Sequence, residues 1–214
     1  MTSSRSFLLL AAAIVLLSSG PRRSFAAEGP VVGKDRPAAV GFAVRAGGRY
    51  DDVRMCVATP SGVKGGPAAD VALFAELPVG EKTSVRVDLP VMRPVLFAAA
   101  FRMLQLEPQV ALLFHGGGGG RVGLVAGPTL GVSLHYGPDY RSAVSGDGRG
   151  PSFFALGPQL GAYLGLDFAR PGKRFDFQLG ASPYAALLFG VDDPAGHRGV
   201  VAGGTLDALF RFSL

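Results

Sequence analysis

Long hydrophobic runs are nearly missing from this chain. The longest unbroken apolar stretch, Phe7 to Leu17, has 11 residues, whereas a membrane-spanning helix needs about 20. A permanent helical anchor is therefore not expected. Cysteine is down to Cys56, which excludes an internal disulfide and, by itself, a zinc site. Charged residues make up only 17% against 48% hydrophobic, which excludes a disordered chain. No basic stretch interleaves with aromatics, so a nucleic-acid partner gains no support. Gly116 to Gly120 lacks the Lys-Ser/Thr of a phosphate loop and reads as a turn. His197 has no partner at metal-ligand spacing, and Asp147, Asp192 and Asp193 read as solvated loop acids. No cofactor and no metal are expected.

What is present begins with a targeting segment. Arg5 supplies a positive start, Phe7 to Leu17 the apolar core, and Ser24-Phe25-Ala26 a small-x-small cleavage site. Residues 1–26 are thus predicted to be a signal peptide and 27–214 the mature domain. No Cys lies near the end of the apolar run, so a lipid-anchored N-terminus is not expected. The leader holds three arginines and no acid, which leaves 18 of the 21 basic residues against 16 acidic ones.

The mature chain alternates with period 2, the signature of strands with one apolar face. In 200–214, Val200, Ala202, Leu206, Phe210, Phe212 and Leu214 share one face, opposite Thr205, Asp207 and Arg211. The same pattern recurs in 39–49, 70–79, 84–91, 104–115, 121–136, 153–168 and 174–190, giving eight predicted strands. On the apolar faces of all eight there is no Asp, Glu, Lys, Arg or His. A soluble sandwich or barrel also alternates, but its polar side carries dense Lys and Glu. Here lysine is scarce, and the polar side is rich in Gly, Ser, Thr and Gln with scattered charge. That is the composition of a cramped lumen, opposite a face long enough to cross an apolar band about 25 Å tall.

Link lengths point the same way. The segments 80–82, 116–120 and 169–173 are short, whereas 50–69, 92–103, 137–150 and 190–199 are longer. Strict alternation of short and long is the pattern of periplasmic turns and external loops, with both termini periplasmic. The predicted fold is all-β: an eight-stranded antiparallel transmembrane β-barrel. Pro128, Pro158 and Pro183 fall inside strands, where a missing N–H breaks the ladder, so bulges are expected there. Pro128 and Pro158 sit in an internal echo, Gly127-Pro-Thr-Leu-Gly131 and Gly157-Pro-Gln-Leu-Gly161. Pro94 to Phe101, apolar on both faces, fits a short helix, a strand extension or a contact patch.

The closing residues Leu206-Asp-Ala-Leu-Phe-Arg-Phe-Ser-Leu214 resemble the C-terminal signal of outer-membrane barrels, with Leu214 where that family has Phe. Together with the leader and the strand count, the mature chain resembles the small outer-membrane barrels of the OmpA and OmpX type. The resemblance implies a Gram-negative outer-membrane location. It also implies that Phe210, Phe212 and Leu214 are read by the barrel assembly machinery, and that outer-membrane lipids surround the fold.

An eight-stranded barrel is just wide enough to be filled by side chains. The predicted lumen holds Arg45, Arg86, Arg121 and Arg211 beside Glu76, Asp88, Glu107, Asp167, Asp176 and Asp207. Buried charges are tolerated when paired, so these residues read as a structural plug. A tight 80–82 turn would set Glu76 opposite Arg86. A tight 169–173 turn would set Asp167 against Asp176, with Arg211 to relieve the repulsion. The expected function is a structural or surface-interaction barrel acting through its external loops, without catalysis. The alternatives are a narrow passive pore and, third, a lipid-modifying enzyme. For the enzyme, Ser133 and His135 are about 7 Å apart along a strand and Glu107 is expected about 20 Å away. Asp139 lies in a loop. The three side chains are not expected to meet.

Overall fold

A computed structural model describes residues 37–51, 65–101, 104–116, 122–137, 153–168, 174–190 and 198–214. The predicted leader, Cys56, Gly117 to Gly120, Arg121, Asp139, Asp147, Asp192, Asp193 and His197 lie outside the described residues. The strands are β1 Ala39–Asp51, β2 Gly65–Gly80, β3 Thr83–Pro90, β4 Leu104–Leu106, β5 Gln109–Gly116, β6 Gly123–Gly137, β7 Phe153–Phe168, β8 Phe175–Gly190 and β9 Arg198–Ser213. One helix, α1 Met92–Phe101, stands between β3 and β4.

β4 and β5 pair with β6 in a single register, from Leu104↔Tyr136 through Gln109↔Gly131 to Gly116↔Leu124. They are one stave interrupted at Glu107 and Pro108, where the Pro108 carbonyl accepts the Val132 N–H at 3.1 Å. Counted that way, eight antiparallel staves form a ring, closed where β9 returns to β1 from Ala39↔Ser213 to Asp51↔Val201. The turn between β2 and β3 is tight, while 52–64, 91–103 and 138–152 are long crossings. β2 starts at Gly65, well inside the predicted long link, because Gly65 to Ala69 continue the ladder with β1 up to Tyr50.

Burial is inside-out. Among the described residues, 21 buried side chains are polar or charged and 13 are apolar, whereas Leu73, Leu130, Leu160, Leu164 and Leu206 stand exposed. Every apolar face predicted from the sequence points outward. A soluble monomer rarely exposes a contiguous apolar patch above a few hundred Å²; here the whole girth is apolar. At about 3.3 Å per residue, the 16 residues of β7 span an apolar band about 25 Å tall even at a tilt of about 40°. Outward aromatics mark both rims of that band. Phe42 stacks on Phe210 at 4.8 Å and Phe175 lies 5.3 Å from Phe212 at the end where β1 begins and β9 stops, while Tyr136 meets Phe154 edge-on at the other. Among the described residues no helix is long and apolar enough to cross a membrane.

The expected bulges at the mid-strand prolines are not found. The register is the same on both sides of Pro128 (Ala111↔Thr129, Phe114↔Ala126), Pro158 (Leu156↔Phe189, Gln159↔Ala186) and Pro183 (Gly161↔Tyr184, Leu164↔Ala181). Rungs are skipped without inserting a residue; among the described residues the register shift falls instead between Pro78 and Gly80, at the β2–β3 turn. The residue before the first two prolines explains how. A Cβ on Gly127 would collide with the Leu112 carbonyl oxygen, and one on Gly157 with that of Leu187. Glycine lets the neighbouring backbone close in where the proline cannot donate, and the Gly-Pro echo uses this device twice.

Candidate functional site: the lumen network

Every predicted lumen residue within the described segments is buried: Arg45, Glu76, Arg86, Asp88, Glu107, Asp167, Asp176, Asp207 and Arg211. Arg49, Asp51, Asp70, His135 and the half-buried Arg93 join them. Period 2 places Arg49, Asp70 and His135 on inner faces of their strands, although the predicted network does not include them. Asp51 and Arg93 fall in predicted links.

The tier nearest the long crossings centres on Arg49. Its guanidinium holds Asp51 at 2.7 Å and Glu107 at 2.5 Å, and donates to His135 Nε2 at 2.8 Å. Glu107 is also gripped by Arg93 of α1 and accepts the Ser133 hydroxyl at 3.1 Å. Asp70 accepts the backbone N–H groups of Val71 at 2.8 Å and Arg93 at 3.0 Å. It thereby caps the start of α1, whose own first turn has no acid. Beside this polar half, Ala155, Ala186, Leu188 and Val201 form an apolar cluster on the facing strands.

In the middle tier Asp88 lies between Arg45 at 2.9 Å and Arg86 at 3.1 Å. The Arg86 guanidinium stacks 4.3 Å from the Tyr163 ring centroid, with Phe74 on its other flank at 5.8 Å. Asp207 takes hydroxyls from Ser182 and from Thr205, the latter at 2.6 Å. At the base, Arg211 lies 3.4 Å from Glu76 and 3.7 Å from Asp176, and Ser84 donates to Glu76 at 2.9 Å.

One of three expectations stands and two are corrected. Glu76 sits opposite Arg86 in register; its ion pair at 3.4 Å is with Arg211, one strand away beyond β1, while Arg86 pairs with Asp88. Asp167 does not face Asp176, because the β7–β8 register runs two residues further and sets Asp167 against Gln178 and, across the next ladder, Asp176 against Arg211. Third, Ser133, His135 and Glu107 do meet. The β4–β6 register puts Gln105 across from His135, which brings Glu107 level with Ser133. The side chains close the remaining gap to 3.4 Å between Ser133 Oγ and His135 Nε2. Geometry alone does not make them a catalytic pair. The serine proton goes to Glu107, the histidine acceptor nitrogen is taken by Arg49, and neither residue lines the interior cavity.

That cavity holds about 40 Å³ and is lined by Arg45, Asp70, Pro90, Arg93, Glu107, Gln109, Gln159 and Tyr184, among others. One water needs about 10–15 Å³ by this measure, so the space is of the size of a few waters. Among the described residues no group of three His, Cys, Asp or Glu side chains is arranged to hold a metal ion.

A closed antiparallel ring of eight staves, apolar outside and ion-paired inside, is the architecture of small outer-membrane barrels. The chain is accordingly similar in fold to the crystal structure of Neisserial surface protein A, at 12% identity and a TM-score of 0.53, over 84% of this chain and 100% of that one. The outer membrane protein OprG from Pseudomonas aeruginosa aligns at 14% identity over 85% of this chain and 99% of its own, with a TM-score of 0.47. No protein-family model and no curated protein sequence matches the chain.

Proposed function

We propose that this chain is an outer-membrane barrel protein with a closed lumen, acting structurally or by surface interaction through its external loops, without catalysis. In this reading residues 1–26 are removed on export, and outer-membrane lipids cover the apolar girth. Phe210, Phe212 and Leu214 present the last strand to the assembly machinery. The carrying observation is the lumen itself: its arginines and carboxylates spend their charge on one another in three stacked tiers, around a cavity of about 40 Å³. A conducting path would need those pairs to part, and a buried carboxylate that loses its cation is left in a low-dielectric interior at a cost of about 3–5 kcal/mol.

Single-channel recording in planar bilayers tests this reading. The wild-type chain is expected to give no steps, and Arg49→Ala, which removes one cation from Glu107 and from Asp51, flickering openings. Steady steps from the wild type would replace the closed barrel by the passive pore.

A further inference from the structure

One bond of the lumen network crosses its full width. In the ring of staves β1 and β6 stand opposite each other, with β2, β3 and the β4–β5 stave between them on one side and β9, β8 and β7 on the other. Arg49 of β1 nevertheless donates to His135 Nε2 of β6 at 2.8 Å. This crossbar lies in the tier nearest the long crossings, and both of its ends are buried.

The direction of that bond fixes the state of the imidazole. A guanidinium has only N–H donors to offer, so His135 Nε2 must present a lone pair. The ring is therefore neutral, with its proton on Nδ1, which lies 3.8 Å from Asp51 Oδ2. The groups facing the ring come from every side. β1 supplies Arg49 and Asp51, and β4 sets Gln105 across from His135 in register. Ser133, on β6 itself, has Oγ 3.4 Å from Nε2, and Glu107 has Oε1 3.7 Å from Nε2. Behind them Arg93 of α1 pairs with Glu107 and with Asp70 of β2, and Tyr184 of β8 interacts with Arg49, Arg93 and Glu107. Of these groups three are carboxylates, Asp51, Asp70 and Glu107, and two are arginines, Arg49 and Arg93.

We propose that His135 is a proton-operated latch, whose neutral ring holds the Arg49 crossbar in place and whose protonation releases it. This inference rests on the reading of the lumen as closed. A proton taken up on Nε2 sets N–H against N–H and two cations side by side, which repel strongly in a low-dielectric interior. The imidazolium instead turns its new N–H to Glu107. The charge count accommodates the proton, since three cations then face three carboxylates. What changes is which partner each group holds. Glu107 passes to His135 and Arg93, and Arg49 keeps Asp51 on its own strand. The tier stays neutralised, but the bond across the width is gone. His115 is placed differently. Its Nε2 lies 2.7 Å from Ser84 Oγ and 3.6 Å from Glu76 Oε1, so a proton there strengthens a pair with Glu76. The Ser84 hydroxyl can accept as well as donate, and that contact survives.

The test uses the full chain folded in phosphatidylcholine vesicles and fused to planar bilayers. Recordings are made at about pH 8 and about pH 5.5, spanning most of the range in which histidine changes charge. The wild type is expected to be silent at the higher pH and to flicker at the lower. His135→Gln, whose amide oxygen still accepts from Arg49, should stay silent at both, and His115→Gln should respond as the wild type does. Arg49→Ala, with no crossbar left to release, should open alike at both. Acid openings from His135→Gln equal to those of the wild type would overturn the latch. A wild type silent at both values would overturn it too, while leaving the closed lumen standing. If His135→Gln does not fold, the imidazole itself decides. The chain has three histidines, so labelled histidine in a chain carrying His115→Gln and His197→Gln reports His135 alone by nitrogen NMR. A neutral ring protonated on Nδ1 at the higher pH and an imidazolium at the lower are expected. A proton on Nε2 at the higher pH, or a neutral ring at both, would sink the proposal. Steps from the wild type at the higher pH sink the closed lumen, and the imidazole spectrum then decides the latch by itself.

Discussion

Arg211 shows what one side chain does in this lumen. It serves Glu76 and Asp176 from a third strand, with its own side chain 2% exposed. Truncating one partner of a buried charge pair costs about 3–5 kcal/mol, because the other charge stays buried. Arg211→Ala should therefore lower the urea midpoint of the vesicle-folded chain strongly, while Lys82→Ala in the exposed β2–β3 turn should leave it unchanged. Arg86→Ala is expected to fall between them, since Asp88 keeps Arg45 and the main loss is the stack on Tyr163. Equal midpoints for Arg211→Ala and Lys82→Ala would show that the base tier contributes nothing. Period 2 made the inward face of each strand residue legible in the sequence, but Arg49, Asp70 and His135 were not assigned to the network and Asp51 and Arg93 fell in links. The partners were not legible. Arg49 reaches Glu107 past β2 and β3, and Arg211 reaches Glu76 past β1, and such pairs depend on the stagger of non-adjacent strands, which no local pattern encodes.

At the scale of elements, the prolines and α1 are where local rules misled. A proline inside a closed ladder suggests a bulge. The chain instead sets a glycine before Pro128 and Pro158 and lets the adjacent strand close in. A Cβ at Gly157 would strike the Leu187 carbonyl, whereas one at Gly48 meets nothing within 4 Å. Gly157→Ala is thus expected to destabilise the barrel by about 1–3 kcal/mol, the usual range for overpacking, and Gly48→Ala to be neutral in the same urea titration. Matching midpoints for the two variants would mean the Gly-Pro device is not what fits the proline into the wall. The stretch Pro94 to Phe101 is apolar on both faces, a pattern that fits no half-buried strand, and the helix answers it: Arg93 turns inward to Glu107 and Asp70, while Val95 and Leu96 stand exposed. That it fills a gap in the wall follows from β3 being half as long as its neighbour β2. Strand length is among the weakest signals in a sequence, and the shortness of β3 became visible only with the ladder in place.

For the whole molecule, the apolar girth was the most legible feature, because no charge interrupts any outward face. Its test is a charge placed in mid-band. Leu160, in the middle of β7 and 65% exposed, should cost about 2–4 kcal/mol when changed to Arg in a phospholipid bilayer, the depth-dependent penalty of the midplane. A cost near zero would mean that Leu160 lies near the rim and that the band is placed wrongly along the strands.

The seam between β1 and β9 has one more consequence. The ring closes through a ladder joining the first strand of the chain to its last, so for most of synthesis the two raw edges have no partners. An unpaired edge is intolerable in lipid and adhesive in water. Seven up-and-down staves would leave the first and last running the same way, so the antiparallel seam seen between β1 and β9 requires the eighth. The ladder that removes both adhesive edges can form only once β9 exists.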